Sequence, residues 1–176
     1  YPGEVLRCAL LSAQYRSPLN FSGELLDRAR GALDSLYGAL RRHGGLLADT
    51  IDLQETGVYK ALLDDLNTPE AFAHLHAAAS TLNKSSDSAQ LGRAKAELQL
   101  GAWLLGLLET DPENWFQGGG VQGGLTAEDI ETFIEQRVLA KQDKDFNRAD
   151  QIRSELEAQG ILLEDSPEGT TWRRGA

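Results

Sequence analysis

Apolar residues recur every three or four positions along most of the chain, and proline, glycine and short polar clusters mark the breaks. From Glu4 to about Gln14, Val5, Leu6, Ala9, Leu10 and Leu11 follow a helical repeat. Ser17-Pro18 interrupts it, because the residue before a proline avoids the helical region. Ser22 stands where an N-cap belongs, and Leu25, Leu26, Ala29, Leu33, Leu36 and Leu40 follow in three- and four-residue steps, with Arg28, Arg30 and Arg41 off the stripe. His43-Gly44-Gly45 ends this second helix. A third is predicted from about Gln54 to Leu63. Thr68 as N-cap with Pro69 at the first helical position opens a fourth, whose stripe is Ala71, Phe72, Leu75, Ala79 and Leu82. After a break at Lys84-Ser85-Ser86-Asp87, a fifth is predicted from Ser88 to Glu109. Its apolar face is Leu91, Ala94, Leu98, Leu105 and Leu108, and Gly101 and Gly106 allow close helix contacts.

The character changes beyond residue 110. Trp115-Phe116 precedes Gly118, Gly119, Gly120, Gly123 and Gly124, a composition expected of a flexible joint. Thr126 with Asp129 makes a capping-type start, and Ile130, Phe133, Ile134 and Val138 are expected to face inward. Another helix opens at Asp145-Phe146, with Ala149, Ile152 and Leu156 inward, and Gly160 stops it. Ile161-Leu162-Leu163 then leads through Glu164-Asp165 to a turn at Ser166-Pro167-Glu168-Gly169, and Thr170-Thr171-Trp172-Arg173-Arg174 returns. The predicted fold is mainly α. An antiparallel helical bundle (1–110) is followed by a Gly-rich linker (111–124) and a small α+β module of two helices and a β-hairpin (125–176).

A chain of 176 residues is long enough for a proper core. It has no methionine, not even at position 1, so a fragment or trimmed product is expected. The single cysteine, Cys8, excludes an internal disulfide framework and suits a reducing compartment, and its expected place is the core. No signal-like start and no apolar run near ~20 residues is present, so cytoplasmic localisation without membrane contact is the expectation.

The net charge of −10 argues against a general nucleic-acid binder. Its distribution refines that: residues 1–48 hold six Lys/Arg against four Asp/Glu, whereas residues 125–176 hold seven against twelve. An acidic module cannot grip RNA through counterion release alone, so any RNA binding there has to read base edges. His74 and His76, two apart on a helix, point to nearly opposite faces, and no cysteine pair stands nearby, so no metal site is expected. No nucleophile set and no phosphate loop emerges, and no catalytic residue is assigned.

Three motifs carry a resemblance. Lys141 and Lys144-Asp145-Phe146, with Ala149-Asp150 and Arg153, precede Gly160-Ile161, Leu163-Glu164-Asp165 and Gly169-Thr170-Thr171-Trp172. This pattern resembles the C-terminal anticodon-binding module of bacterial cysteinyl-tRNA synthetases. Tyr15-Arg16-Ser17-Pro18-Leu19-Asn20-Phe21 and Asp64-Asp65-Leu66-Asn67-Thr68-Pro69-Glu70-Ala71 are similar to two markers of that family's helical domain. The resemblance spans essentially the whole chain.

It implies that Lys141, Phe146, Asp150 and Asp165 read unpaired anticodon bases: Phe146 by stacking, Asp150 by accepting from guanine, and Lys141 by donating to cytosine. Asp165 would orient the hairpin or accept from an adenine amine. Arg153, Arg173 and Arg174 would add RNA contacts. Arg16 and Arg28, with Arg30, Arg41 and Arg42, form the main basic concentration, which either meets the tRNA backbone or is a solvated helix face. Two departures stand out: lysine at 141 and phenylalanine at 146, where the family often has arginine and tryptophan. The plainer reading is that Asp145 caps a helix, Phe146 is core, Asp150 pairs with Arg153 and Trp172 anchors the hairpin.

The resemblance further implies a parent class I ligase that activates cysteine with ATP and transfers it to tRNA(Cys). Its zinc-bearing catalytic domain would lie N-terminal to Tyr1, leaving this part inactive alone and without a cofactor of its own. The implied partner is tRNA(Cys) through its anticodon stem-loop, with no DNA, bound by a monomer. Two alternatives stay open: an acidic helical protein-interaction module, and part of a related cysteine ligase that uses no tRNA.

Overall fold

The computed structural model describes residues 1–118, 125–166 and 169–175. The chain is mainly α, and it divides into two compact units, Tyr1–Pro112 and Glu113–Ala176.

The first unit is a helical bundle. Helix α1 (Gly3–Leu11) ends before the predicted Gln14, because Ser12 folds its hydroxyl back onto the Ala9 carbonyl at 2.7 Å. Helix α2 (Gly23–Arg42) starts at Ser22, whose hydroxyl accepts from Leu25 N at 3.3 Å. Leu33, Leu36 and Tyr37 on α2 are fully buried, and Val5, Cys8 and Ala9 of α1 pack against that helix. Burial pushes the Cys8 thiol up to about 11, which leaves it a protonated core group.

The predicted helix from Gln54 splits. A 3-10 turn, Leu53–Glu55, is followed by Thr56, which caps α3 (Gly57–Leu63) by accepting from Tyr59 N at 3.2 Å. Helix α4 (Thr68–Lys84) is capped by Asn67 rather than Thr68: the Asn67 side chain accepts from Glu70 N at 3.2 Å. Thr68 is thereby released to donate its hydroxyl to Ala13 O at 3.2 Å. Helix α5 (Ser88–Leu104) stops short of the predicted Glu109. Gly106 and Leu108 take left-handed conformations, φ 63° and 58°, that no helix continues.

Gly101 is a close-contact position, whereas Gly106 is a stop. A Cβ on Gly101 would lie 2.6 Å from Val58 Cγ2 and 3.0 Å from Leu75 Cδ2, both on buried side chains. Lys95 is buried on the same helix, and its ammonium donates to the carbonyls of His43 (2.8 Å), Gly44 (3.2 Å) and Leu46 (2.6 Å). It thus closes the carbonyl end of α2.

The second unit is the α+β module. Helix α6 (Pro112–Gln117) falls within the stretch read as a linker, and most of the glycine run, 119–124, lies outside the described residues. Helix α7 (Ala127–Gln142) opens with a full capping box between Thr126 and Asp129. Lys144 at φ 60° reverses the chain, and Asp145 caps α8 (Phe146–Ala158) by accepting from Arg148 N at 3.0 Å. Gly160, at φ 75°, ends α8 and leads into β1 (Ile161–Ser166).

β1 pairs antiparallel with β2 (Gly169–Arg174), with Leu163 opposite Trp172 and Asp165 opposite Thr170. The predicted turn falls partly on 167 and 168, outside the described residues. Alternation places Ile161, Leu163, Asp165, Thr170, Trp172 and Arg174 on one face of the hairpin. Ile161 and Trp172 from that face join Ile130, Ile134, Ile152 and Leu156 in one core. Val138, predicted inward, is instead 38% exposed, and the buried place on α7 goes to Arg137.

Gly101→Ala, a change that normally favours a helix interior, is expected to destabilise the first unit by about 1–3 kcal/mol, because β-branched Val58 cannot rotate away from the added methyl. Urea unfolding followed by far-UV circular dichroism checks it; unchanged stability would mean that α3 and α5 can separate freely.

Candidate nucleic-acid interface

The α7–turn–α8 reversal and the end of the hairpin next to Ser166 and Gly169 bring one set of charged side chains together. Arg137 follows Ile134 on the apolar stripe of α7 and is 4% exposed. Its two terminal nitrogens donate to the two oxygens of Asp165 at 2.8 Å each, a parallel fork from helix to strand. Thr170, opposite Asp165 in the hairpin, donates its hydroxyl to Oδ1 at 2.7 Å. Lys141, one turn beyond Arg137, reaches Oδ2 at 3.5 Å. The Arg137 fork and the Thr170 hydroxyl hold the Asp165 carboxyl well below the usual carboxylate range, with Lys141 adding to the effect. Asp165 in turn pushes Arg137 up, and the charge of Asp150 adds to that.

Lys141 and Asp165 are therefore in contact, and Asp150 lies within electrostatic reach of the same guanidinium. Asp150 is exposed and makes no hydrogen bond or ion pair with any described residue; the same holds for Arg153. The Asp150–Arg153 pair of the plainer reading is thus not formed. Phe146 is 62% exposed at the first position of α8, not core. Asp145 does cap that helix, and Trp172 does anchor the hairpin: it is buried, with its indole N–H on Glu131 at 2.8 Å.

The terminal arginines have partners. Arg173 donates from Nε to Glu164 at 2.9 Å on the outer face of the hairpin. Arg174 donates to the carbonyls of Gln117 (3.2 Å) and Leu125 (2.7 Å), pinning the segments before α7 to β2.

Arg16 and Arg28 belong to the first unit. Arg16 lies over the Tyr15 ring, 5.0 Å from its centroid, and 3.5 Å from Asp65, which also accepts the Tyr15 hydroxyl at 2.9 Å. The two marker segments of that unit thus meet. Arg28 is exposed and lines a groove of about 390 Å³ with Leu25, Ala29, Phe72 and His76.

Sequence reasoning did not single out Arg137 or Thr170. The available signal was an arginine placed on an apolar helical stripe, three residues after Ile134 and four before Lys141. Among the described residues, no group of three or more His, Cys, Asp or Glu could hold a metal ion, and no helix is long and apolar enough to cross a membrane.

Comparison with known proteins gives two family matches: the DALR domain over residues 57–109, and the cysteinyl-tRNA ligase anticodon binding domain over residues 124–173. Among curated relatives, the cysteine–tRNA ligase of Saccharophagus degradans is 49% identical over 99% of this chain, and that of Rhodospirillum rubrum is 46% identical over 98%. That of Halorhodospira halophila is 46% identical over 99%. The chain spans 38% of the length of each of these three relatives.

Asp165→Leu is expected to cost about 1.5–3 kcal/mol near neutral pH by stranding the buried Arg137 guanidinium, toward the lower end because the carboxylate is half exposed. Asp165 is depressed in the folded state, so its contribution is present above the ordinary aspartate value of about 4 and is lost as pH falls through the lower folded value. The deficit of the variant should therefore shrink on acidification. Unfolding of both proteins across that pH range tests this, and a deficit independent of pH would exclude the ion pair as its source.

Proposed function

We propose that this chain, matched by the DALR domain and by the cysteinyl-tRNA ligase anticodon binding domain, binds tRNA(Cys) and reads its anticodon as the C-terminal part of a cysteine–tRNA ligase. The observation that carries the reading is Asp150, an exposed carboxylate with no hydrogen-bond or ion-pair partner among the described residues, within electrostatic reach of Arg137 on the helix that exposes Phe146 at its start. Unpaired RNA bases are recognised by stacking on aromatics and by hydrogen bonds along their Watson–Crick edges. Phe146 supplies the ring. Asp150 accepts from guanine N1–H and N2–H, and Lys141 leaves its loose contact with Asp165 to donate to cytosine.

Asp165 contributes mainly by position, since the fork, Thr170 and Lys141 already occupy its oxygens. Arg153, which pairs with no described residue, takes a phosphate; Arg173 keeps its outer nitrogens for the same purpose. Arg174 acts through the chain segments it holds. Arg16 and Arg28 meet the tRNA backbone from the first unit.

The parent enzyme on this reading is a class I synthetase of the cytoplasm. It activates cysteine with ATP and transfers it to tRNA, using a zinc-bearing catalytic portion. The residues here do not fit either group: no metal-ligand cluster occurs among the described residues, and no phosphate-binding loop is present in the sequence. On this reading the part binds tRNA as a monomer and does not aminoacylate by itself.

The test is binding of the chain to a tRNA(Cys) transcript and to one with its anticodon bases replaced, at one fixed salt concentration. Replacement should cost about 1–3 kcal/mol per base, and Asp150→Ala or Phe146→Ala should each remove a comparable part of that preference. Equal binding of both transcripts, abolished by salt, would reduce the interaction to electrostatics and remove the base-reading assignments.

A further inference from the structure

We infer that Arg137 is a positioning residue for base reading, one that sets where Lys141 and β1 stand without touching RNA itself; this rests on the anticodon-reading function proposed above. The guanidinium is almost wholly buried, and its Nε is enclosed without a hydrogen-bond partner among the described residues. A buried donor left unmade is costly, and buried ion pairs stabilise little compared with an apolar pair of similar shape.

The hairpin does not depend on this fork for attachment. Ile161 and Trp172 already seat it in the core, Trp172 is tied to Glu131, and Arg174 straps β2 to Gln117 and Leu125. What the fork adds is geometry. Two parallel bonds of 2.8 Å fix both the distance and the rotation of Asp165 relative to α7.

An ionised carboxylate offers about four acceptor sites. Arg137 takes two and Thr170 a third at 2.7 Å, so Lys141 is left with the remaining one at 3.5 Å, the longest of the four contacts. Lys141 is therefore the member free to exchange partners. Its resting place is set by a carboxylate that Arg137 cannot let turn. A lysine at 137 would keep the charge but offer a single donor centre, leaving Asp165 free to rotate.

The experiment uses the whole chain with Arg137→Met and Arg137→Lys. Each is tested against the tRNA(Cys) transcript and the anticodon-replaced transcript at one salt concentration, with thermal melts to establish folding. Both variants are expected to lose about tenfold or more of the preference for the native anticodon while binding the replaced transcript as before. A folded Arg137→Met chain with the original preference overturns the inference.

Should Arg137→Met fail to fold, the Arg137→Lys chain, which leaves Asp165 in place, decides: a lost preference in a folded chain supports positioning, and an unchanged preference overturns the inference. If the unaltered chain shows no preference, the anticodon reading itself fails, and this inference falls with it.

Discussion

A guanidinium buried at 4% exposure has to find its counterion inside the fold, and Asp165 is that counterion. This requirement ties together three parts of the second unit that are far apart in sequence. Arg137 stands on α7, Asp165 on β1, and Thr170 on β2 closes the carboxylate from the other strand. The pairing works only if the hairpin register sets Thr170 opposite Asp165, and if alternation turns both toward α7. A one-residue slip would send Asp165 to the outer face and leave Arg137 charged and alone. The ion pair therefore constrains register more than it supplies stability, consistent with the small net worth of buried pairs.

The same arrangement explains which groups remain available. Helix α8 begins at Phe146 because Asp145 satisfies one of its first free N–H groups and because Lys144 takes a left-handed turn. That reversal exposes Phe146, while Ala149, Ile152 and Leu156 bury the opposite stripe. Asp150, next to the buried Ala149, is exposed, with no hydrogen-bond or ion-pair partner among the described residues. One helical face pays for folding and the other is left free. Arg173 and Arg174 illustrate the opposite case, since adjacent residues on a strand point to opposite faces. Arg173 meets Glu164 outside, and Arg174 reaches backbone carbonyls inside.

Most of the fold was legible because its signals are local. Ser22, Thr126, Asp145 and Gly160 mark their helix ends in the sequence and do so in the structure. Where prediction and structure differ, a competing contact decided. Asn67 outcompetes Thr68 as a cap, since Thr68 is used to reach Ala13, 55 residues away in sequence. Helix α5 ends at Leu104 because the backbone turns left-handed at Gly106, which helical periodicity carries no trace of.

For the candidate site, Lys141, Phe146, Asp150 and Asp165 were named from a resemblance, and local pattern alone favoured a plainer reading of them. Arg137 was missed because an arginine on an apolar stripe counts against burial unless its partner is known. That partner lies 28 residues on, in another element.

Charge gives this arrangement its consequence. Residues 125–176 carry more acidic than basic groups, and several of the basic ones are spoken for: Arg137 by Asp165, Arg173 by Glu164, Arg174 by carbonyls. Few cations are left to attract a phosphate backbone without regard to sequence. On the proposed reading, an RNA that offers the wrong bases meets repulsion from Asp150 and its acidic neighbours with few cations to offset it. One that offers guanine donors converts the same carboxylate into an acceptor. An acidic surface thus raises discrimination by lowering the affinity of everything else, and specificity is a difference of affinities. Such a surface can discriminate only if its carboxylates and its one loosely held lysine stand at fixed positions. A buried fork fixes position in a way that exposed, solvated charges cannot.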